Sequence, residues 1–194
     1  MPKRAVILHG TDGNPDQCWM PWLRKLLEAH GYQVFAPVLP SNHTPSREGY
    51  LDFLFSQDWD YTDNVVIGHS SGATTIFNML EDARCSKLKA AVPVASFLKI
   101  TAGILESEWY DPGQFDALFP ENGFSWEAIQ GKCDAFYFVH GSDDPFCPIE
   151  LAQHAADRLG GELLVIKNAG HLGESSGFRE LPQLEALLLE RGLI

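Results

Sequence analysis

Apolar and polar positions along this chain fall into blocks that switch between two periods. Arg4-Ala5-Val6-Ile7-Leu8 is a short, nearly continuous apolar run that ends at His9-Gly10. Runs of this length bounded by turn residues mark strands buried on both faces. Trp19, Trp22, Leu23, Leu26 and Leu27 then recur at helical spacing until Gly31, which predicts a helix from Trp19 to His30. The same reading predicts strands at 32–38, 64–68, 88–94, 133–139 and 163–167, and longer helices at about 45–57, 71–82, 149–159 and 180–190. Thr44-Pro45 has the form of an N-cap followed by proline in the first helical position. Strands alternating with helices imply an α/β domain. Its mostly parallel, six-stranded sheet would carry helices on both faces, in three layers.

The rhythm breaks between residues 95 and 124. This passage carries Trp109, Tyr110, Phe115, Phe119 and Phe124, punctuated by Pro112-Gly113 and Pro120, and only residues 125–130 suggest a short helix after it. A structureless loop of that length is uncommon unless it is functional. The segment is therefore expected to form a cap or the wall of a substrate pocket, the alternative being that it only packs on the body.

Composition narrows the class. The chain has 194 residues, 45% of them hydrophobic and 21% charged, which fits one globular domain spanning 1–194. A formal net charge of −12 argues against nucleic acid as a partner, because phosphate contacts need a basic face. No stretch approaches the roughly 18–20 apolar residues of a membrane span, and the N-terminal run is too short for a signal peptide. Cys18, Cys85, Cys133 and Cys147 are scattered and form no C-x-x-C, so free thiols in the cytoplasm are expected.

One stretch carries chemistry. Val65-Val66-Ile67 runs into Gly68-His69-Ser70-Ser71-Gly72, and residues 73–80 continue as a helix. G-x-S-x-G between a strand and a helix is the pattern of a nucleophile elbow, a sharp turn that lifts a serine hydroxyl clear of the sheet. Small residues two positions either side let strand and helix approach each other. A serine needs a base, and the base an orienting acid. In parallel sheets such groups lie after the carboxyl ends of strands.

Seven histidines are candidates for the base. His30 and His154 fall inside predicted helices. His9 and His140 close strands and suit loop shaping. His43 lies in the loop after the second strand, with a minor substrate-side role open to it. His69 sits within the elbow, where a sharp turn points its side chain away from the nucleophile and suits it to packing or hydrogen bonding. His171 follows the last strand through Asn168-Ala169-Gly170 and is the best placed. Two aspartates follow the fifth strand in Gly141-Ser142-Asp143-Asp144-Pro145-Phe146-Cys147-Pro148. In hydrolases of this shape the acid commonly lies four residues before the proline that opens the next helix. That spacing favours Asp144 and leaves Asp143 to a loop hydrogen bond. The order Ser70, Asp144, His171 is that of the α/β-hydrolases. Two backbone N–H groups must hold the oxyanion. Ser71 supplies one, and Thr11, after the first strand, supplies the other.

The chain resembles the small serine-hydrolase family of retinoblastoma-binding protein 9, a compact branch of the α/β-hydrolase fold, over nearly its whole length. Gly68-His69-Ser70-Ser71-Gly72 is similar to that family's elbow, and Gly141 to Pro148 to its acid loop, in which the aspartate directly before proline acts. Gly170-His171 is similar to its histidine loop, and Trp19-Met20-Pro21-Trp22-Leu23 to the start of its first helix. The resemblance implies the same three residues, Ser70, Asp144 and His171. The Leu-x-Cys-x-Glu string associated with the family's protein partner is absent, so that partnership does not carry over. The expectation is a serine hydrolase, esterase-like, acting on small uncharged acyl substrates without metal or organic cofactor. The alternative is a binding protein built on a hydrolase scaffold.

Overall fold

A computed structural model describes residues 2–194. Six strands are β1 (Lys3–Leu8), β2 (Tyr32–Phe35), β3 (Val65–His69), β4 (Ala90–Val94), β5 (Tyr137–Gly141) and β6 (Glu162–Ile166). They form one sheet in the order β2-β1-β3-β4-β5-β6, and every pairing is parallel. Between them lie α1 (Met20–Ala29), α2 (Arg47–Ser56), α3 (Ser71–Glu81), α4 (Ala102–Leu105), α5 (Trp126–Gln130), α6 (Ile149–Leu159) and α7 (Pro182–Glu190).

The strands read as apolar runs because both faces are covered. On one face, Val6, Leu8 and Val66 pack with Tyr50 and Leu54 of α2, Ile76 and Phe77 of α3, and the alanines of α6. On the other, Ala5, Ile7 and Ile67 pack with Leu23 and Leu27 of α1 and Leu184 and Leu188 of α7. Alternate residues of one strand thus feed two separate cores, the arrangement the period of two demands. The three-layer α/β prediction is met, with the sheet wholly parallel.

Several boundaries moved. Ser46, not Thr44, caps α2, its side chain accepting from the Gly49 N–H at 3.1 Å. A serine with extended backbone three residues ahead of a free N–H satisfies that donor directly, while Thr44 closes a turn back to Ser41. β2 stops at Phe35 rather than 38, since its partner β1 pairs only as far as Val6 opposite Phe35. β5 begins at Tyr137 rather than 133: Cys133 makes only an isolated bridge to Leu88.

Residues 95–124 contain the single turn of α4 and otherwise irregular backbone. They build a third apolar cluster from Phe97, Ile104, Phe115 and Leu118, joined by Cys147 of the loop after β5. The segment packs on the body and lines a cavity. Gly103 makes the approach feasible, because a Cβ there would overlap the Pro145 carbonyl oxygen. No helix among the described residues is long and apolar enough to cross a membrane.

The strand order places the site. From β1 the chain steps to β2 on one side, and β3 lies on the other. The crevice between β1 and β3 at their carboxyl ends is the topological switch point where parallel sheets bind ligands. Thr11 follows β1 and Ser70 follows β3.

Candidate active site

The turn after β3 is strained in the manner the elbow requires. Ser70 has φ 55° and ψ −121°, left-handed backbone for a residue with a side chain. Such a conformation costs on the order of 1–3 kcal/mol and persists only where surrounding structure enforces it. Enforcement is visible on both sides: the Ser70 N–H donates to the Val94 carbonyl at 3.0 Å, and the Ala73 and Thr74 N–H groups donate to the Ser70 carbonyl. The flanking glycines are obligatory for a further reason. A Cβ on Gly68 would overlap the Gly72 carbonyl oxygen, and one on Gly72 would overlap the carbonyl oxygen of Leu8 in β1. Gly72 thus serves the contact of α3 with β1 as well as the turn.

Ser70, His171 and Asp144 meet although they lie far apart in sequence. The Ser70 Oγ is 2.9 Å from His171 Nε2, and His171 Nδ1 is 2.7 Å from Asp144 Oδ2. The Asp144 side chain is fully buried and that of His171 is 14% exposed. The other Asp144 oxygen, Oδ1, accepts from the Phe146 N–H at 2.9 Å and the Cys147 N–H at 3.0 Å. Burial pushes the Asp144 carboxyl upward, but the His171 hydrogen bond and charge, with the two backbone donors, outweigh it and leave the group below its ordinary range. Asp143 turns outward and accepts from the Gly170 N–H at 2.9 Å. It steadies the histidine loop without touching the imidazole, as the loop reading proposed.

His69 takes the packing and hydrogen-bonding role expected of it. Its ring lies beside that of His171, with centroids 5.1 Å apart, and its Nε2–H donates to the His171 carbonyl at 2.9 Å. The histidine loop thus folds back over the elbow. Burial pushes the His69 pKa down to about 3, reinforced by the charge of His171. It is therefore a neutral donor. His140 is likewise lowered by burial and donates from Nε2 to the Cys147 carbonyl at 2.7 Å, shaping the acid loop. His9 donates from Nδ1 to the Gly10 carbonyl and accepts at Nε2 from the Leu39 N–H, so it is neutral and loop-shaping. His43 lies outside the pocket wall and bridges Asp12 and Asp111, 2.9 Å from each.

The residues expected to hold an oxyanion come together at the switch point. The Thr11 hydroxyl donates to Ser71 Oγ at 3.0 Å, tying the loop after β1 to the start of α3. Among the described residues, the backbone N–H groups of Thr11 and Ser71 donate to no protein acceptor. Gly10 abuts Ser70, since a Cβ there would lie 3.0 Å from the Ser70 Cβ.

Two aromatic side chains support the site and escaped sequence reasoning. Trp19 is fully buried and its indole N–H donates to the Leu172 carbonyl at 2.8 Å, pinning the residue after His171. The pairing Trp19-x-x-Trp22 was its only signal. Phe146 presents its ring edge-on to the His171 imidazole, centroids 5.3 Å apart. It lies two residues after Asp144, and the tight turn there carries it over the imidazole.

A cavity of about 320 Å³ opens over Ser70 and His171. Phe97, Ile104, Trp109, Phe115 and Phe146 form its apolar wall, with Asp12 and Glu174 also lining it. A larger open groove, about 970 Å³, lies elsewhere, between α2, the end of α3 and residues 117–128. It touches none of Ser70, Asp144 and His171, so chemistry rather than size identifies the site. Among the described residues, Asp144, Cys147 and His171 are the group with metal-type donor atoms within 4.8 Å of one another. Two of the three are already committed to each other by hydrogen bonding.

Residues 5–190 match the family model described as serine hydrolase, and the chain belongs to that family. Its fold is that of the α/β-hydrolases. Among curated relatives, it is 27% identical over 195 residues to the serine hydrolase RBBP9 of Rattus norvegicus, covering 99% of this chain and 98% of that one. It is 26% identical over 184 residues to YdeN of Bacillus subtilis (strain 168), covering 94% and 92%. The crystal structure of the B. subtilis ydeN gene product superposes with a TM-score of 0.85 at 23% identity over 97% of each chain. Est1E from Butyrivibrio proteoclasticus superposes at 0.69 with 14% identity, over 100% of this chain and 89% of that one. At such identities the structural likenesses speak to the fold.

Proposed function

We propose that this serine hydrolase is carboxylesterase-like and cleaves small uncharged esters, thioesters or activated amides through an acyl-enzyme on Ser70. The observation that carries the reading is the unbroken hydrogen-bonded chain from Ser70 through His171 to a fully buried Asp144. His171 Nε2 takes the hydroxyl proton as Ser70 Oγ attacks the carbonyl carbon. The imidazolium that forms is held by the Asp144 carboxylate, which also fixes the tautomer that leaves Nε2 free to accept. The Thr11 and Ser71 N–H groups receive the developing oxyanion, a task their lack of protein acceptors supports. His171 then protonates the leaving group. It next activates water to release the acid product and free serine. The protein's own residues suffice for each step, with no membrane or nucleic-acid partner. All four cysteines are free thiols, which supports a cytoplasmic setting. Residues 95–124 act with the body as one unit spanning 1–194 and wall the substrate.

A fluorophosphonate probe tests the reading. Ser70 is expected to be labelled in the wild type, unlabelled in Ser70→Ala, and labelled at least a hundredfold more slowly in His171→Ala. An unlabelled wild type that also leaves p-nitrophenyl acetate and butyrate intact refutes it.

A further inference from the structure

The pocket wall has a chemistry of its own, beyond its apolar character. Its side chains form a connected array of rings meeting at edges. Phe97 meets Phe115 at 5.1 Å and 75°, Trp109 meets Phe115 at 6.3 Å and 79°, and Trp109 meets Phe146 at 5.2 Å and 85°. Phe146 in turn stands edge-on to His171 at 5.3 Å and 84°. The array runs from Trp109, 43% exposed at the mouth, down to the imidazole. Perpendicular rings offer both a face and an edge to whatever enters between them, and a planar ring can answer both. A saturated ring has neither a π-face nor a positively polarised edge.

Size and charge agree. A cavity of about 150 Å³ lined by aliphatic and aromatic side chains is enough to hold benzene. The 320 Å³ here leaves room for one ring, a short spacer and the reacting carbonyl. The two carboxylates that line the cavity are exposed and already partnered: Asp12 with His43, and Glu174 with Arg179 and Cys18. Among the described residues no Lys or Arg lines the wall to receive a charged acyl end, so burying one among Phe97, Ile104 and Phe115 would be costly.

We infer that the substrates of this site are neutral esters bearing an aryl group one or two methylenes from the ester, with Trp109 and Phe146 as the residues that select for the ring. This rests on the reading of Ser70 as the nucleophile. The ring can reach the wall from the acyl or the alcohol side, and the two arms of the test separate these.

The acyl arm compares methyl 3-phenylpropanoate with methyl 3-cyclohexylpropanoate, and the alcohol arm compares 2-phenylethyl acetate with 2-cyclohexylethyl acetate. The saturated partner is the more hydrophobic, so burial alone favours cyclohexyl. Two edge-to-face contacts of roughly two- to threefold each reverse that order. A phenyl preference in kcat/KM of at least threefold is expected in one arm, and Trp109→Leu is expected to bring that ratio within twofold of one. A ratio below threefold in both arms, or a preference that survives Trp109→Leu, overturns the inference. Binding of 3-phenylpropanamide against 3-cyclohexylpropanamide to Ser70→Ala, followed by chemical-shift titration, decides the same question without turnover. A threefold tighter phenyl amide, in this pair or in the alcohol-side pair N-(2-phenylethyl)acetamide against N-(2-cyclohexylethyl)acetamide, supports the inference even if no ester is cleaved, whereas equal affinities in both pairs overturn it. Failure of Ser70 labelling bears on the nucleophile alone.

Discussion

Replacing Asp144 by asparagine changes one atom and separates the two adjacent aspartates. The amide has two orientations. In one, its carbonyl keeps the place of Oδ1 and still accepts from the Phe146 and Cys147 N–H groups at 2.9 and 3.0 Å. The flipped amide would face those two donors with its own N–H groups and lose both bonds, at about 1–3 kcal/mol each. The first orientation therefore wins, and it puts the amide nitrogen where Oδ2 stood, 2.7 Å from His171 Nδ1. Nδ1 must then accept, its proton moves to Nε2, and Nε2 donates to Ser70 where it should accept. The base is blocked while the geometry is kept, so kcat is expected to fall by about 10³ to 10⁴, or roughly 4–5.5 kcal/mol in the barrier. Asp143→Asn retains its acceptor for the Gly170 N–H, and activity is expected to stay within about threefold. Initial rates on p-nitrophenyl butyrate, with urea midpoints to verify folding, measure both variants. Equal losses, or an Asp144→Asn enzyme with more than a tenth of wild-type kcat, would refute the tautomer argument. The pH dependence gives a second reading. The folded-state pKa of Asp144 lies below its unfolded value, so its contribution to stability is complete above the unfolded value of about 3.9 and is lost as pH falls through the folded one. Asp144→Asn should lack that acid dependence.

Three further outcomes follow from packing. Gly72→Ala is expected to destabilise the fold by roughly 2–4 kcal/mol, because its Cβ meets the backbone carbonyls of Leu8 and His9 rather than a side chain that can move; urea unfolding measures it, and a loss under about 1 kcal/mol contradicts the contact. Trp19→Phe leaves the Leu172 carbonyl without its indole donor and should lower kcat several-fold with little change in KM, whereas a loss confined to KM would show that Trp19 does not act through the histidine loop. His43 donates from both nitrogens to carboxylates and its pKa is raised, by hydrogen bonds to Asp111 and then to Asp12. Its stabilising effect should be complete below about pH 6.5 and vanish as pH rises through the folded-state pKa, so the urea-midpoint gap between wild type and His43→Asn should be wider at pH 6 than at pH 9; a gap that widens toward pH 9 would reverse the sign.

Much of the protein is legible without coordinates, and the reason is range. A buried parallel strand or an amphipathic helix is specified by residues within one short window, so β3, α3 and α6 stand where periodicity puts them. The elbow is nearly as local: Gly68 and Ser70 answer to a turn only a few residues long, although Gly72 also answers to Leu8 of β1. The rule that functional groups follow strands then reaches Asp144 and His171, because a parallel sheet brings all its strand ends to one edge. What lies beyond that edge depends on how separate loops lean on one another. The placement of His69 under the His171 carbonyl, the indole of Trp19 on Leu172 and the His43 bridge from Asp12 to Asp111 join residues 102, 153, 31 and 68 positions apart in sequence. No window spans such distances. The aromatic passage from 95 to 124 shows the division plainly: its composition announces a wall, but the perpendicular setting of Phe97, Phe115, Trp109 and Phe146 exists only once α4 has docked on the acid loop.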